Sequence, residues 1–143
     1  MSIRKAILAD QPAISILLNQ LGYPGTETFL LQNLAVMLDQ PTSEVFVYEL
    51  DEKVAGFIAI DFIPQLATKG DFARISCFAV DETIRSKGVG RLLEEYCIRL
   101  ATERKCDRIE VHCHSRRVDA HRFYERQGYE ESPKYFIKML PDE

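Results

Sequence analysis

Arg85-Ser86-Lys87-Gly88-Val89-Gly90 lies between two patterned segments. Before it runs Ile75-Ser76-Cys77-Phe78-Ala79-Val80, an apolar stretch that reads as a buried strand. After it, Val89, Leu92, Leu93, Tyr96, Cys97, Leu100 and Ala101 recur at helical spacing. The hexapeptide is therefore a strand-to-helix turn that opens a helix. Unpaired backbone N–H groups gather at such a start, and the helix dipole favours negative charge there. Gly88 and Gly90 have no side chains, so a ligand can approach the main chain closely. Arg85 and Lys87 add two cations. These features describe a cradle for an anion, with a pyrophosphate as the best fit. The glycines alone also suit tight packing of helix on strand.

Working outward, the chain of 143 residues with 46% hydrophobic content suits one globular domain, 1–143. It contains no apolar run of membrane-spanning length, and Arg4, Lys5 and Asp10 interrupt any signal-like core near the start. Cys77, Cys97, Cys106 and Cys113 form no C-x-x-C pair, which favours reduced thiols and a cytoplasmic setting. Net charge is −4, unevenly spread. Residues 85–126 hold eleven Lys/Arg against seven Asp/Glu, and the remainder holds seven against fifteen. A small basic segment in an acidic chain fits a local site for an anionic ligand and argues against nucleic acid, which needs a wider basic face.

The remaining patterns predict an element order. Ser2 to Leu8 reads as a strand, and Asp10 as the cap of a helix reaching Leu21. Gly22-Tyr23-Pro24-Gly25 breaks that helix. A second begins at Thr26, with Phe29, Leu30, Leu34, Met37 and Leu38 in register. Two strands, 44–50 and 54–62, flank a turn at Asp51-Glu52-Lys53, and a third runs over 71–80. After the cradle and its helix come a strand at 108–112, a helix at 118–127 stopped by Gly128, and a last strand at 135–140. The fold class is α/β (α+β), a single sheet covered by helices.

The second informative stretch is Arg117-Val118-Asp119-Ala120-His121-Arg122-Phe123-Tyr124-Glu125-Arg126-Gln127-Gly128-Tyr129. Phe123 is placed to anchor the helix in the core, and Tyr124 points about a quarter-turn away. With both segments, the chain resembles the GCN5-related N-acetyltransferase superfamily over nearly its whole length. The family signature Val-x-Pro-x-x-Arg/Gln-x-x-Gly-x-Gly/Ala falls on Val80 to Gly90, and Ala-x-x-Phe-Tyr-x-x-x-Gly-Phe falls on Ala120 to Tyr129.

The resemblance implies a mixed, mostly antiparallel sheet with a central splay between two strands and helices on both faces. It implies acetyl-CoA as cofactor, with pyrophosphate held by main-chain amides at Arg85, Ser86, Lys87, Gly88, Val89, Gly90 and Arg91. The backbone of Phe78, Ala79 and Val80 would pair with the pantetheine arm. Tyr124 would protonate the departing thiolate, and a backbone amide, that of Val80, would stabilise the oxyanion. The implied reaction is direct transfer to a primary amine in a ternary complex, with no metal; a homodimer is a further expectation. The acceptor, a small molecule or a protein amine, would lie among Leu21-Gly22-Tyr23-Pro24, Phe62-Ile63-Pro64-Gln65 and Ser132-Pro133-Lys134-Tyr135. Three departures stand out. Glu82 replaces the signature proline, Arg117 stands where many members carry Asn, and neither Ser76 nor Cys77 supplies the usual strand carboxylate. Glu27, Asp71 or a water chain remain as bases. The missing carboxylate also leaves room for a non-catalytic CoA-binding sensor or interaction module.

Single residues carry rival readings. Cys77 is a cleft nucleophile or a small buried residue. Cys97 is core, and Cys106 closes a helix. His112, Cys113 and His114 lack a third ligand at metal-site spacing. His121 lies near the cofactor or on a polar helix surface. A Rossmann site fails on glycine order, and the Walker lysine–hydroxyl pair is missing.

Overall fold

A computed structural model describes residues 2–112, 118–132 and 135–141. Backbone contacts divide the chain into two units, 1–112 and 113–143. The first is built on a five-stranded sheet in the order β1-β2-β3-β4-β5. The strands are β1 (Ser2–Lys5), β2 (Ser43–Leu50), β3 (Lys53–Ile63), β4 (Phe72–Val80) and β5 (Arg108–Val111). Three neighbouring pairs are antiparallel, and β4–β5 is parallel. The helices are α1 (Gln11–Leu21), α2 (Leu30–Leu38) and α3 (Val89–Glu103) in this unit, and α4 (Val118–Arg126) in the second.

Both sheet faces are covered, and strand alternation sorts the residues between them. Phe46, Tyr48, Ile58, Ile60 and Ile75 pack with Val89, Leu93, Cys97 and Ala101 of α3. Val45, Val47, Phe57, Ala59 and Ala79 pack with Ile14, Leu17 and Leu18 of α1 and Leu34 of α2. The β2–β3 hairpin closes through Asp51 and Glu52, with φ of 52° and 64°. Positive φ at both loop residues is the type I′ geometry that matches strand twist. The turn is thus two residues long, and Lys53 already belongs to β3.

Several expectations need correction. The first strand stops at Lys5, and a 3-10 turn at Leu8–Asp10 follows. Asp10 donates no cap to α1. Its buried carboxylate instead accepts two hydrogen bonds from Arg4, at 2.8 and 2.9 Å, and one from the Ile7 amide at 2.9 Å. Arg4 lies opposite Val47 in the β1–β2 ladder and also bonds Glu49 at 2.7 Å. The Arg4 pairing and the Ile7 amide hold the Asp10 carboxyl below the usual carboxylate range despite burial. Thr26 starts a 3-10 turn, and α2 proper begins at Leu30. Leu30, Leu34 and Met37 face the core, whereas Phe29 and Leu38 are exposed. On α3, Leu92 is exposed and Glu94 is buried.

In the second unit, α4 ends at Arg126, and Gly128 follows with φ 92°. No α4 residue is fully buried; Phe123 is half-buried against the Tyr124 ring, rather than enclosed in a core. Residues 135–141 form no strand. Phe136, Ile137, Met139 and Leu140 are all exposed.

Candidate active site

β4 is the strand on which the site is built. Its ladder with β5 runs only from Phe72–Arg108 to Ile75–Val111, while its ladder with β3 continues to Val80 opposite Gly56. From Ser76 onward, β4 is therefore paired on one side only among the described residues. This is the splay that the resemblance implies. A bulge marks where it begins. Ile75 faces Ile60 and Cys77 faces Ala59, so Ser76 is the extra residue, its hydroxyl 3.5 Å from the Ala59 carbonyl. The bulge reverses the strand's alternation. Before it, Ala73 and Ile75 point to α3; after it, Phe78 and Val80 do, and Cys77 and Ala79 point to α1 and α2.

Beyond Val80 the chain is anchored at once. The Asp81 amide donates to Ala55 at 2.8 Å. The Asp81 carboxylate accepts from the Thr83 amide at 2.9 Å and from its hydroxyl at 2.7 Å. These bonds, the hydroxyl's first, draw the Asp81 carboxyl below its ordinary range. A 3-10 turn, Glu82–Lys87, then leads to Gly88. With φ of 80°, Gly88 occupies the left-handed region and reorients the chain into α3. Gly88 is the N-cap of a 15-residue helix, so the amides of Val89, Gly90 and Arg91 have no intrahelical acceptor. The Arg85 Nε lies 3.4 Å from the Val80 carbonyl, which folds this cation back over the strand end. Lys87 is exposed. The Arg91 guanidinium spans to Glu95 at 3.5 Å along the helix surface. Ser86 belongs to the same 3-10 turn.

Gly56 permits this arrangement, and periodicity gives no hint of it. A Cβ there would stand 3.2 Å from Leu93 Cδ1, 3.3 Å from the Ala79 carbonyl oxygen and 3.4 Å from Val89 Cγ1. The first two turns of α3 rest directly on the bare backbone of β3.

The expected acceptor segments are not all near this end of the sheet. Leu21 to Pro24 follows α1, whose Gln20 reaches Glu82, so it starts beside the cradle. Phe62 to Gln65 lies at the other end, because Ile63 pairs with Phe72. Asp71 precedes Phe72 and is about 30 Å from Val80 at roughly 3.3 Å per residue, too far to serve as a base there. Glu27 is exposed in the segment between α1 and α2. An open cavity of about 630 Å³ also lies at the Ser43 end, lined by Lys5, Leu38, Pro41, Glu44 and Arg104. Within it, Glu44 pairs with Lys5 at 3.4 Å and with Arg104 at 3.3 Å.

In the second unit, the Tyr124 ring stacks edge-on with Phe123 and Tyr129, centroids 5.3 and 5.4 Å apart. The Tyr129 amide donates to the Tyr124 carbonyl at 3.0 Å, closing the helix end. Tyr135 is exposed. Cys113, His114, Arg117, Pro133 and Lys134 lie outside the described residues. Among those described, no three His, Cys, Asp or Glu side chains gather as metal ligands, and no helix is long and apolar enough to cross a membrane. Cys97 is fully buried; burial, with Glu94 and Glu44 adding, pushes its thiol up to about 12. Burial likewise raises the Cys106 thiol.

The model of the acetyltransferase (GNAT) family matches residues 14–129. An uncharacterized N-acetyltransferase of Chlorobaculum tepidum is 31% identical over 139 residues, covering 96% of this chain and 81% of that protein. Among solved structures, a transcriptional regulator from Bacillus halodurans C-125 superposes with a TM-score of 0.88 at 22% identity, covering 97% of this chain and 99% of that one. A ribosomal-protein-alanine N-acetyltransferase from Brucella melitensis biovar Abortus 2308 gives 0.80 at 17% identity, with coverage of 97% and 98%. A sheet splayed at β4, a glycine-capped helix at its end and a family match over most of the chain agree: this chain belongs to the acetyltransferase (GNAT) family.

Proposed function

We propose that residues 1–143 form one catalytic domain that transfers an acetyl group from acetyl-CoA directly to a primary amine. The observation that carries this reading is the combination at the end of β4. A strand edge opens beyond Ile75 and leads, through Gly88, to three amides without an intrahelical acceptor at the start of α3. An extended arm fits the edge, and a pyrophosphate fits the amides. Acetyl-CoA supplies the activated acetyl thioester. The amides of Val89, Gly90 and Arg91 hold the diphosphate, together with the turn residues Arg85, Ser86, Lys87 and Gly88. The backbone of Phe78, Ala79 and Val80 aligns the arm, and the Val80 amide faces the developing oxyanion. A water chain would take the proton that the attacking amine loses, and the Tyr124 hydroxyl would give its own to the departing thiolate. The name of the Brucella neighbour, which acts on a ribosomal-protein alanine, supports an amine acceptor.

A second reading, a CoA-binding module without catalysis, rests on two points. Ser76 and Cys77 provide no carboxylate at the bulge, and a fold neighbour carries the name of a transcriptional regulator. Titration with acetyl-CoA, run beside thiol release with pooled amines, separates the two. Amine-dependent release supports the enzyme, binding without release supports the module, and no binding removes both. Tyr124→Phe is expected to lower turnover at least about tenfold with little change in cofactor affinity. Unchanged turnover would take Tyr124 out of the mechanism.

A further inference from the structure

Position 82 departs from the family signature, which has proline where this chain has Glu82. Proline fixes φ and carries no N–H. Glu82 has both the freedom and the donor, and the structure shows where that donor goes. Its amide donates to Gln20 Oε1 at 2.9 Å, across 62 residues of sequence. Gln20 is the penultimate residue of α1. Its side chain also lies against the Asp81 carboxylate, behind the stronger Thr83 contacts. The backbone is otherwise shaped for proline. Asp81 has φ −52° and ψ 131°, and that ψ is the one favoured for a residue before proline. Glu82 is the first residue of a 3-10 turn, where φ falls at about −50 to −70°.

We infer that Gln20 is a positioning residue for the cofactor cradle, fastening the Glu82 amide and so replacing the rigidity that proline would give this turn. The inference rests on the proposed reading of the cradle as the CoA site. The consequence for binding is indirect. Freeing Glu82 loosens the 3-10 turn that delivers Gly88 and the α3 amides, and ordering that turn then costs affinity.

The test is a cycle of full-length variants: Gln20→Ala, Glu82→Pro and the pair. The solvent-exposed bond has a modest net worth, which corresponds to about a threefold loss of CoA affinity in Gln20→Ala. The KM for acetyl-CoA should rise by the same factor, with kcat at saturation unchanged. Amide exchange at Glu82 should accelerate in Gln20→Ala. Glu82→Pro should bind CoA at least as tightly as the parent, and adding Gln20→Ala to it should then do nothing. An unchanged affinity in Gln20→Ala overturns the inference, as does a threefold loss that persists in the proline background. A parent protein that fails to bind CoA overturns the site reading itself, and the exchange measurement tells that failure from loss of the Gln20 bond.

Discussion

Gly56→Ala is the sharpest test of how the sheet supports the cradle. The added methyl would meet Leu93 Cδ1 at 3.2 Å, the Ala79 carbonyl at 3.3 Å and Val89 Cγ1 at 3.4 Å. Leu93 and Val89 are buried, so neither can swing into solvent. Relief must come from α3 lifting by a few tenths of an ångström. Overpacking of this kind costs about 1–3 kcal/mol. Gly56 does not have positive φ, so alanine also restricts the unfolded chain and returns about 0.4–1 kcal/mol. The net expectation is a loss of about 1 kcal/mol, a fall in melting temperature of about 2–6 °C for a chain of this size. Urea unfolding with an unchanged m-value would measure it. Because Val89 is the first residue of α3, CoA affinity should fall in parallel. Val89→Ala removes one of the obstacles, so the double variant should lose less than the two single losses combined. A Gly56→Ala protein as stable as the parent, with CoA affinity intact, would refute the claim that α3 rests on that glycine.

Asp10→Asn should cost about 1–2 kcal/mol near neutral pH, allowing for the part of Arg4 that faces solvent. The Asp10 carboxyl is held below its unfolded value, so its contribution is present above about pH 4 and lost as pH falls through the folded value. The gap between parent and variant should therefore close in acid; a gap that stays constant would mean the Arg4 pairing is not its source. Neutralising Arg85 and Lys87 together should weaken CoA binding and flatten its salt dependence, measured by calorimetry at two ionic strengths. A flat calorimetric response to the charge change would remove both cations from the cradle. Cys97 should resist thiol reagents at neutral pH until the protein unfolds, since burial holds its thiol protonated; labelling of Cys97 in the native state, read by mass spectrometry, would contradict the packing of α3.

Much of this fold is legible locally. The hairpin announces itself by apolar runs on either side of Asp51-Glu52, and the core stripe of α3 by the spacing of Val89, Leu93, Cys97 and Ala101. The turn at 85–90 reads as a helix start because glycine at 88 has a physical task there, a φ of 80°. What stays hidden depends on partners distant in sequence. Asp10 has the residue type of a helix cap, but Arg4 on a strand claims its carboxylate first. Glu94 lies on the polar side of a pattern, yet its helix is covered there too. Gly56 looks like an ordinary strand glycine until α3 is laid across it.

The bulge at Ser76 shows why alternation alone misplaces the chemistry. A strict period of two carries Ala73 and Ile75 onto the same face as Cys77, the α3 face. One inserted residue sends Cys77 to the α1 and α2 side and turns Phe78 and Val80 toward α3. The same insertion falls where the ladder of β4 with β5 ends at Val111, so one irregularity chooses which side chains flank the open edge. No composition or propensity at position 76 requires this. It follows from fitting β4 against β3, and only the assembled sheet imposes that condition.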